Sequence, residues 1–202
     1  MGRPKNADAA TTRLRILEAA IRRFGTQGLR ATSLRQIAAD AGVTFATVHH
    51  HFGTKDALHE RCVEEGFEHL GGMEGELMEE IAKAPRTREE LVAHVSGCAF
   101  RYAMRRKIYS RFLLRTTVFE PDAPNRQRLE DAQRTYLDVA SRLLGPLLNR
   151  SPESLRVPLQ GLMFLLTRLA VTTDRELAII GGEPEELEDD VAQVAVATLV
   201  IS

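Results

Sequence analysis

Residues 32–58 read TSLRQIAADAGVTFATVHHHFGTKDAL and contain two short helical patterns joined at a glycine. Ser33 and Gln36 have the spacing of a capping box, which predicts the start of the first helix. Gly42 can adopt the left-handed backbone that a sharp turn requires, and Thr44 can cap the helix that follows. Apolar residues at helical spacing in both patterns would hold the two helices at a steep angle, so the stretch predicts a helix-turn-helix.

The second of these helices carries small and hydrogen-bonding side chains on the side opposite its apolar positions, Val48 and Phe52. In a helix-turn-helix, the N-terminal part of the second helix contacts base edges in the major groove, and flanking residues hold phosphates. We therefore expect residues 32–52 to bind double-stranded DNA. Lys55 begins the next helix, where its charge and the free N–H groups of that helix can bind a phosphate together.

A third helix precedes this motif. From Thr12 to Phe24 the apolar residues follow one stripe, and Gly25 and Gly28 are predicted to end the helix. Residues 1–55 contain nine Lys or Arg and three Asp or Glu, a net charge of +6, whereas the whole chain has −1, which leaves −7 for the remainder. This asymmetry predicts a cationic N-terminal module for a polyanion, joined to an acidic body.

Helical periodicity continues through the rest of the chain, and no stretch alternates apolar and polar residues for long enough to indicate a sheet. The predicted fold is all-α, with about nine helices. An N-terminal three-helix helix-turn-helix domain is expected over residues 1–53, and a C-terminal helical bundle over residues 54–202. Gly71 and Gly72 are expected to interrupt or end the helix that begins near Lys55.

The last two predicted helices are apolar over more than one face. One follows the Ser151 cap and contains LMFLLTRLAV, and the other contains VAQVAVATLVI, which begins at Val191. A helix that is apolar most of the way round has to be covered on most sides. We therefore expect a homodimer through the last two helices, with a buried core pair in a monomer as the alternative.

Composition excludes several classes of protein. No apolar run reaches the roughly 18 residues that cross a bilayer, and no apolar stretch follows the basic N-terminus as in a secretory signal. Two cysteines, Cys62 and Cys98, fit a reducing compartment, so we expect a cytoplasmic protein without membrane contact. The sequence contains no nucleophile elbow, phosphate-binding glycine loop or paired catalytic carboxylates, which predicts neither an enzyme nor a bound cofactor.

Histidines occur at two places where a metal site has to be considered. The run 49–51 cannot converge on one ion, because successive helical residues point about 100° apart. His59 with Cys62, and His94 with Cys98, each share a helix face, so a His2Cys2 zinc site is conceivable if the two helices are adjacent. Cys98 also lies on an apolar stripe, which favours the protein core, and we predict no metal. A thiol redox role of the cysteines is a further alternative.

The segment from Thr12 to Leu58 resembles the N-terminal domain of the tetracycline-repressor (TetR) family. The residues that carry the resemblance are Phe24 and Gly28, Thr32–Ser33, Ile37–Ala38, Ala41–Thr44, His49–Phe52 and Lys55–Leu58. The turn, the helix caps and the apolar faces of the helices all fit the family pattern, over about a quarter of the chain. Two positions depart from the family pattern, which usually has Gly at Ala46 and Tyr at His49.

The resemblance implies a transcriptional repressor that binds a palindromic operator as a dimer and releases it when a small ligand enters the C-terminal domain. The DNA surface that it implies consists of Thr32, Ser33, Thr44, Phe45, Ala46, Thr47, His49, His50 and Lys55. Within this set, Thr32, Ser33 and Lys55 would contact the DNA backbone. Residues 2–5 either form an arm that enters the minor groove or a tail without that role.

Walls of a ligand pocket are expected from the middle helices. The candidates are Tyr102, Phe112, Phe119, Tyr136, Met163, Phe164 and Thr167. Such a lining suits a mostly apolar ligand with one or two polar groups, but plain core is the favoured interpretation for each of these side chains. The alternative function is a DNA-binding regulator controlled by a protein partner, metal or thiol redox. A large cavity in the C-terminal domain would favour the ligand, and a solid core would favour the partner.

Overall fold

The computed structural model describes residues 5–83, 87–119, 123–180 and 184–201. Within these ranges the chain forms ten α-helices and no strand, which confirms the predicted all-α fold. The helices are α1 (Lys5–Ala31), α2 (Leu34–Ala41), α3 (Phe45–Phe52), α4 (Lys55–Lys83), α5 (Arg88–Arg105), α6 (Lys107–Leu114), α7 (Ala123–Leu148), α8 (Pro152–Val171), α9 (Asp174–Ile180) and α10 (Pro184–Val196). Short π-helical turns, Arg115–Phe119 and Ala197–Ile201, follow α6 and α10.

The prediction that Gly71 and Gly72 interrupt or end the fourth helix is wrong, because α4 continues from Lys55 to Lys83. A glycine inside a helix costs only about 1 kcal/mol relative to alanine, so it weakens a helix without ending it. At Gly72 the missing side chain also makes room for a neighbour. A Cβ there would lie 3.0 Å from the hydroxyl oxygen of Tyr102.

The described residues form one helix more than the nine predicted, and the additional one is α9. Its start is a capping box: the Thr173 hydroxyl accepts from the Glu176 N–H (3.3 Å), and the Glu176 carboxylate accepts from the Thr173 N–H (3.0 Å). The hydrogen bonds from Thr173 lower the pKa of Glu176. With seven residues, α9 is too short for a hydrophobic period to be visible, whereas its Thr-x-x-Glu start was readable in the sequence.

The chain divides into two compact units. The first is Met1–His69 with Arg111–Arg126, and the second is Leu70–Ser110 with Gln127–Ser202. In the first unit α1 packs on α2 and α2 on α3. Its buried residues include Ile16, Ile21, Phe24, Ile37, Val48, Leu58 and Phe112. The predicted domain limits at residues 53 and 54 stay a prediction.

In the second unit α5 packs against both α8 and α10. One buried cluster contains Leu144, Leu155, Leu159 and Leu199, and a second contains Phe100, Leu169, Leu177 and Val191. By length and composition alone, α8 is also apolar enough to cross a membrane. Its leucines at 155, 159, 162 and 169 are instead buried in this unit, as in the core helix of a folded domain.

Candidate nucleic-acid interface

The segment from α2 to α3 is built by local hydrogen bonds that its sequence predicts. Ser33 and Gln36 form the capping box, with the Ser33 N–H donating to the Gln36 side-chain oxygen at 2.8 Å. Gly42 ends α2 in the left-handed conformation (φ 62°, ψ 40°), and its N–H donates to a carbonyl of α2. Thr44 caps α3 by accepting from the Thr47 N–H at 3.1 Å. The turn angle between the two helices is therefore fixed by residues inside the motif.

Two arginines of α1 hold α2 in place. In the sequence they were recognisable only as part of the net positive charge of residues 1–55. Arg15 donates to the carbonyls of Ala41 and Gly42 at the C-terminal end of α2, where a helix has no further N–H groups of its own for its last carbonyls. Arg23 forms a two-bond pair with the Asp40 carboxylate, one bond being 2.9 Å long. The hydrogen bond from Arg23 lowers the pKa of Asp40. Both contacts join residues 17 or more positions apart, so no local signal reveals them.

A third arginine holds the end of α1. Arg115, in the π-helical turn after α6, donates to the carbonyls of Thr26 and Gln27 at 3.3 and 3.4 Å. These carbonyls belong to the last regular turn before Gly28, whose φ of 83° breaks the helical conformation. A cation is favourable at this position because the C-terminal end of a helix carries partial negative charge.

The outer side of α3 carries most of the predicted DNA contacts. Phe45, Ala46, His49 and His50 are exposed, and Thr47 is half-buried, whereas Val48 is fully buried as its spacing predicts. The rings of Phe45 and His49 are nearly parallel, with centroids 6.1 Å apart. The structure therefore brings these side chains to one accessible face, one helical turn apart along α3.

Thr32 and Lys55 are engaged by the protein's own backbone. Thr32 is only 2% exposed, and its hydroxyl donates to the Gly28 carbonyl at 2.8 Å. The Lys55 ammonium donates to the carbonyls of Leu29 (2.8 Å) and Thr32 (3.1 Å). Since an ammonium has three N–H groups, one remains for a phosphate. Ser33, in contrast, is exposed beside the start of α2.

Further positive charge lies near the end of α3. The Arg13 guanidinium of α1 stacks over the Phe52 ring, 4.8 Å from its centroid. Such a cation–π contact holds the arginine head against the helix–turn–helix while leaving the residue exposed. Of the predicted N-terminal arm, residues 2–4 lie outside the described residues.

The structure distributes the candidate ligand residues over both units. Phe112 is fully buried in the first unit, against Phe24 and His59. Phe119, in the same unit, is 72% exposed. In the second unit Tyr102 is buried and Phe164 is exposed, and the remaining three, Tyr136, Met163 and Thr167, are half-buried. Their role in binding a ligand stays a prediction.

Among the described residues, the surface clefts of the second unit include the following two. One has a volume of about 440 Å³ and lies where α7 meets α8, between Arg142, Gly145 and Pro152. The other, of about 370 Å³, lies between Ala93 of α5 and the outer face of α10 around Gln193. The predicted ligand residues line neither of these two clefts.

The histidine and cysteine pairs have separate surroundings. His59 packs edge-on against the rings of Phe24 (5.0 Å) and Phe112 (5.5 Å). Cys62 is fully buried, and this burial raises the pKa of its thiol. In the second unit, His94 pairs with Glu80 at 2.7 Å. Among the described residues, no three metal-binding side chains come together.

Sequence comparison finds a family match within the first unit. Residues 16–62 match the family described as bacterial regulatory proteins, tetR family. The chain is 34% identical over 96 residues to the HTH-type transcriptional regulator AcrR of Shigella flexneri, and the aligned segment is 47% of this chain and 45% of that protein. It is 50% identical over 52 residues to the HTH-type transcriptional regulatory protein RaaS of Mycobacterium tuberculosis, and this aligned segment is 26% of this chain and 24% of that protein. The chain thus matches less than half the length of each relative.

Structural comparison extends over nearly the whole chain. The crystal structure of NalD, the secondary repressor of the MexAB-OprM multidrug efflux pump in Pseudomonas aeruginosa, superimposes with a TM-score of 0.62. The superposition covers 96% of this chain and 97% of NalD, at 20% sequence identity. At that identity the similarity establishes the fold alone, including that of the C-terminal helices.

Proposed function

We propose that the chain is a cytoplasmic transcriptional repressor of the TetR family, whose model residues 16–62 match, and that it binds a palindromic operator as a homodimer. The observation that carries the proposal is the exposed face of α3, a helix capped by Thr44. The residues on this face are Phe45, Ala46, His49 and His50. Side chains of this size and polarity suit base edges in the major groove, where Phe45 and Ala46 can contact thymine methyl groups. In this proposal Ser33 and the third N–H of Lys55 contact phosphates.

The dimer proposal rests on α8 and α10. Val157 and Phe164 of α8 and Val194 of α10 are exposed apolar residues of the described chain. Two recognition helices have to lie about 34–36 Å apart to enter successive major grooves, and a two-fold pairing of the last helices supplies a fixed separation.

The regulatory proposal is release by a small, mostly apolar effector in the C-terminal domain, residues 54–202. An effector that changes the direction of α4 would alter the spacing of the two recognition helices and thereby weaken operator binding. Control by a protein partner is the competing proposal. Screening small molecules for release of the bound operator distinguishes the two, since a partner-controlled regulator would release with none of them.

The central experiment selects bound sequences from random duplex DNA and then measures affinity for the winner against salt concentration. Enrichment of a palindrome, with affinity falling steeply as salt rises, is the expected result. A chain that enriches no sequence is not an operator-binding repressor.

Replacing Lys55 with methionine is expected to weaken operator binding and reduce its salt dependence. Methionine keeps the length of the side chain but removes the charge, and each lost phosphate contact lowers the slope of log K against log salt by about 0.9. A dimer that loses one contact per subunit should therefore lose about 1.8. Lys55→Arg is the matched control, because it keeps the charge. An unchanged slope with reduced affinity would mean that Lys55 acts only by holding the carbonyls of Leu29 and Thr32.

A further inference from the structure

His49 and Gly53 are joined by two hydrogen bonds that run in opposite directions. The Gly53 N–H donates to the His49 carbonyl at 2.8 Å, as at the end of an α-helix. The His49 ring nitrogen Nδ1 lies 2.8 Å from the Gly53 carbonyl oxygen. Gly53 has a φ of 70° and a ψ of −106°, a backbone conformation that favours glycine. The turn after α3 is therefore the element that presents a carbonyl to the histidine ring.

A second contact sets the plane of the ring. Phe45, one turn earlier on α3, stacks on His49 with an angle of 11° between the two rings. Both residues are exposed on the face of α3 that the proposed function assigns to DNA. With Nδ1 held by Gly53 and Phe45 stacked beside the ring, Nε2 is the ring nitrogen left for a ligand.

The carbonyl of Gly53 determines which nitrogen of the ring carries the proton. A carbonyl oxygen only accepts hydrogen bonds, so Nδ1 has to donate. A neutral imidazole has one N–H, and with that hydrogen on Nδ1 the outer nitrogen Nε2 is an acceptor. A DNA phosphate oxygen is also an acceptor, so the neutral ring has nothing to donate to it.

We propose that His49 is a specificity-determining residue whose Nε2 accepts a hydrogen bond from the exocyclic amino group of an adenine or a cytosine in the major groove. The proposal rests on the proposed function. In the major groove, adenine N6 and cytosine N4 are the donors, while guanine O6 and N7 and thymine O4 accept. The family usually has tyrosine at this position, whose hydroxyl can donate a hydrogen bond, whereas Nε2 of a neutral histidine with its hydrogen on Nδ1 can only accept one.

The test removes single amino groups from the selected operator at pH 8, where an ordinary imidazole is neutral. Each adenine is replaced in turn by purine, and each cytosine by a pyrimidinone that lacks the amino group. At one position per half-site we expect the wild-type protein to bind about 3- to 10-fold more weakly, the loss of a single hydrogen bond. His49→Phe, which keeps the stack on Phe45, should be insensitive at that position only. His51→Phe is the matched control on the same helix and should keep the sensitivity.

Two results would overturn the proposal. One is equal sensitivity of the wild-type protein and His49→Phe at every substituted base. The other is a phosphate contact, seen as weaker binding to a methylphosphonate linkage by the wild-type protein but not by His49→Phe. Long-range ¹H–¹⁵N correlations of the free protein provide a check that needs no DNA: we expect the tautomer with hydrogen on Nδ1, and hydrogen on Nε2 would also overturn it. Failure to enrich any operator would refute the proposed function itself.

Discussion

Replacing Phe112 with alanine is expected to lower the free energy of unfolding of the first unit by about 3–5 kcal/mol. The ring is fully buried and contacts the rings of Phe24 and His59, at centroid distances of 6.4 and 5.5 Å. The backbone of Phe112 approaches α1 closely, since a Cβ at Gly25 would lie 3.2 Å from its N and Cα atoms. Helices packed at that distance cannot move inward to fill the cavity, which places the loss in the upper part of the range for a large-to-small change.

Denaturant unfolding, together with amide hydrogen exchange in α1 and the first half of α4, measures this loss. Phe119→Ala is the matched control, because the same side chain is removed from a residue that is 72% exposed. Surface substitutions usually change stability by less than about 0.5 kcal/mol. Equal effects of the two substitutions would mean that α6 does not stabilise the first unit. Operator affinity should follow stability only under conditions in which the Phe112→Ala protein is partly unfolded.

Replacing both Val157 and Phe164 with glutamate is expected to convert the proposed dimer into a monomer and to weaken operator binding by about 10²–10⁴-fold. Val157 is 81% exposed and Phe164 is 58% exposed, and their spacing of seven residues puts them on one face of α8. Between them, Gly161 has open space around the position of a Cβ. Two carboxylates on this face would be buried without partners in a two-fold interface, which is far costlier than leaving the subunits apart.

The large effect on DNA follows from multivalency. A dimer binds its second half-site as an intramolecular step, at the high effective concentration set by the interface, and a monomer has to bind each half-site separately. Sedimentation equilibrium and operator titration measure the two consequences. The matched control is Ile179→Glu on α9, another exposed apolar residue, which should stay dimeric. A wild-type protein that sediments as a monomer at micromolar concentration would refute the interface, as would a dimeric double variant.

Several features of the first unit were predictable from residues close together in the chain. The capping box at Ser33, the left-handed turn at Gly42 and the cap at Thr44 involve partners within about four residues, so their geometry follows from local backbone chemistry. Buried Val48 and exposed His50 follow from helical spacing alone. The same local logic failed at Gly71–Gly72, because a small helix propensity is outweighed by the contacts of a long helix.

Other features required the folded chain. The contacts of Arg15 and Arg115 with helix-end carbonyls link residues 26 or more positions apart, and no spacing rule reports such partners. Phe112, one of the predicted pocket residues, is buried where α6 closely approaches α1 at Gly25, and this packing could not be read from the sequence of either helix.

The helix-turn-helix could thus be recognised from 27 consecutive residues, since each of its turns and caps is completed by its near neighbours. The chemical character of its recognition surface could not. The sequence does not tell which ring nitrogen of His49 donates a hydrogen bond and which accepts one. In the folded chain the Gly53 carbonyl faces Nδ1, which leaves Nε2 of the neutral ring as the acceptor. The hydrogen on an imidazole goes to the nitrogen that faces an acceptor, and the direction of that carbonyl is a property of the three-dimensional structure.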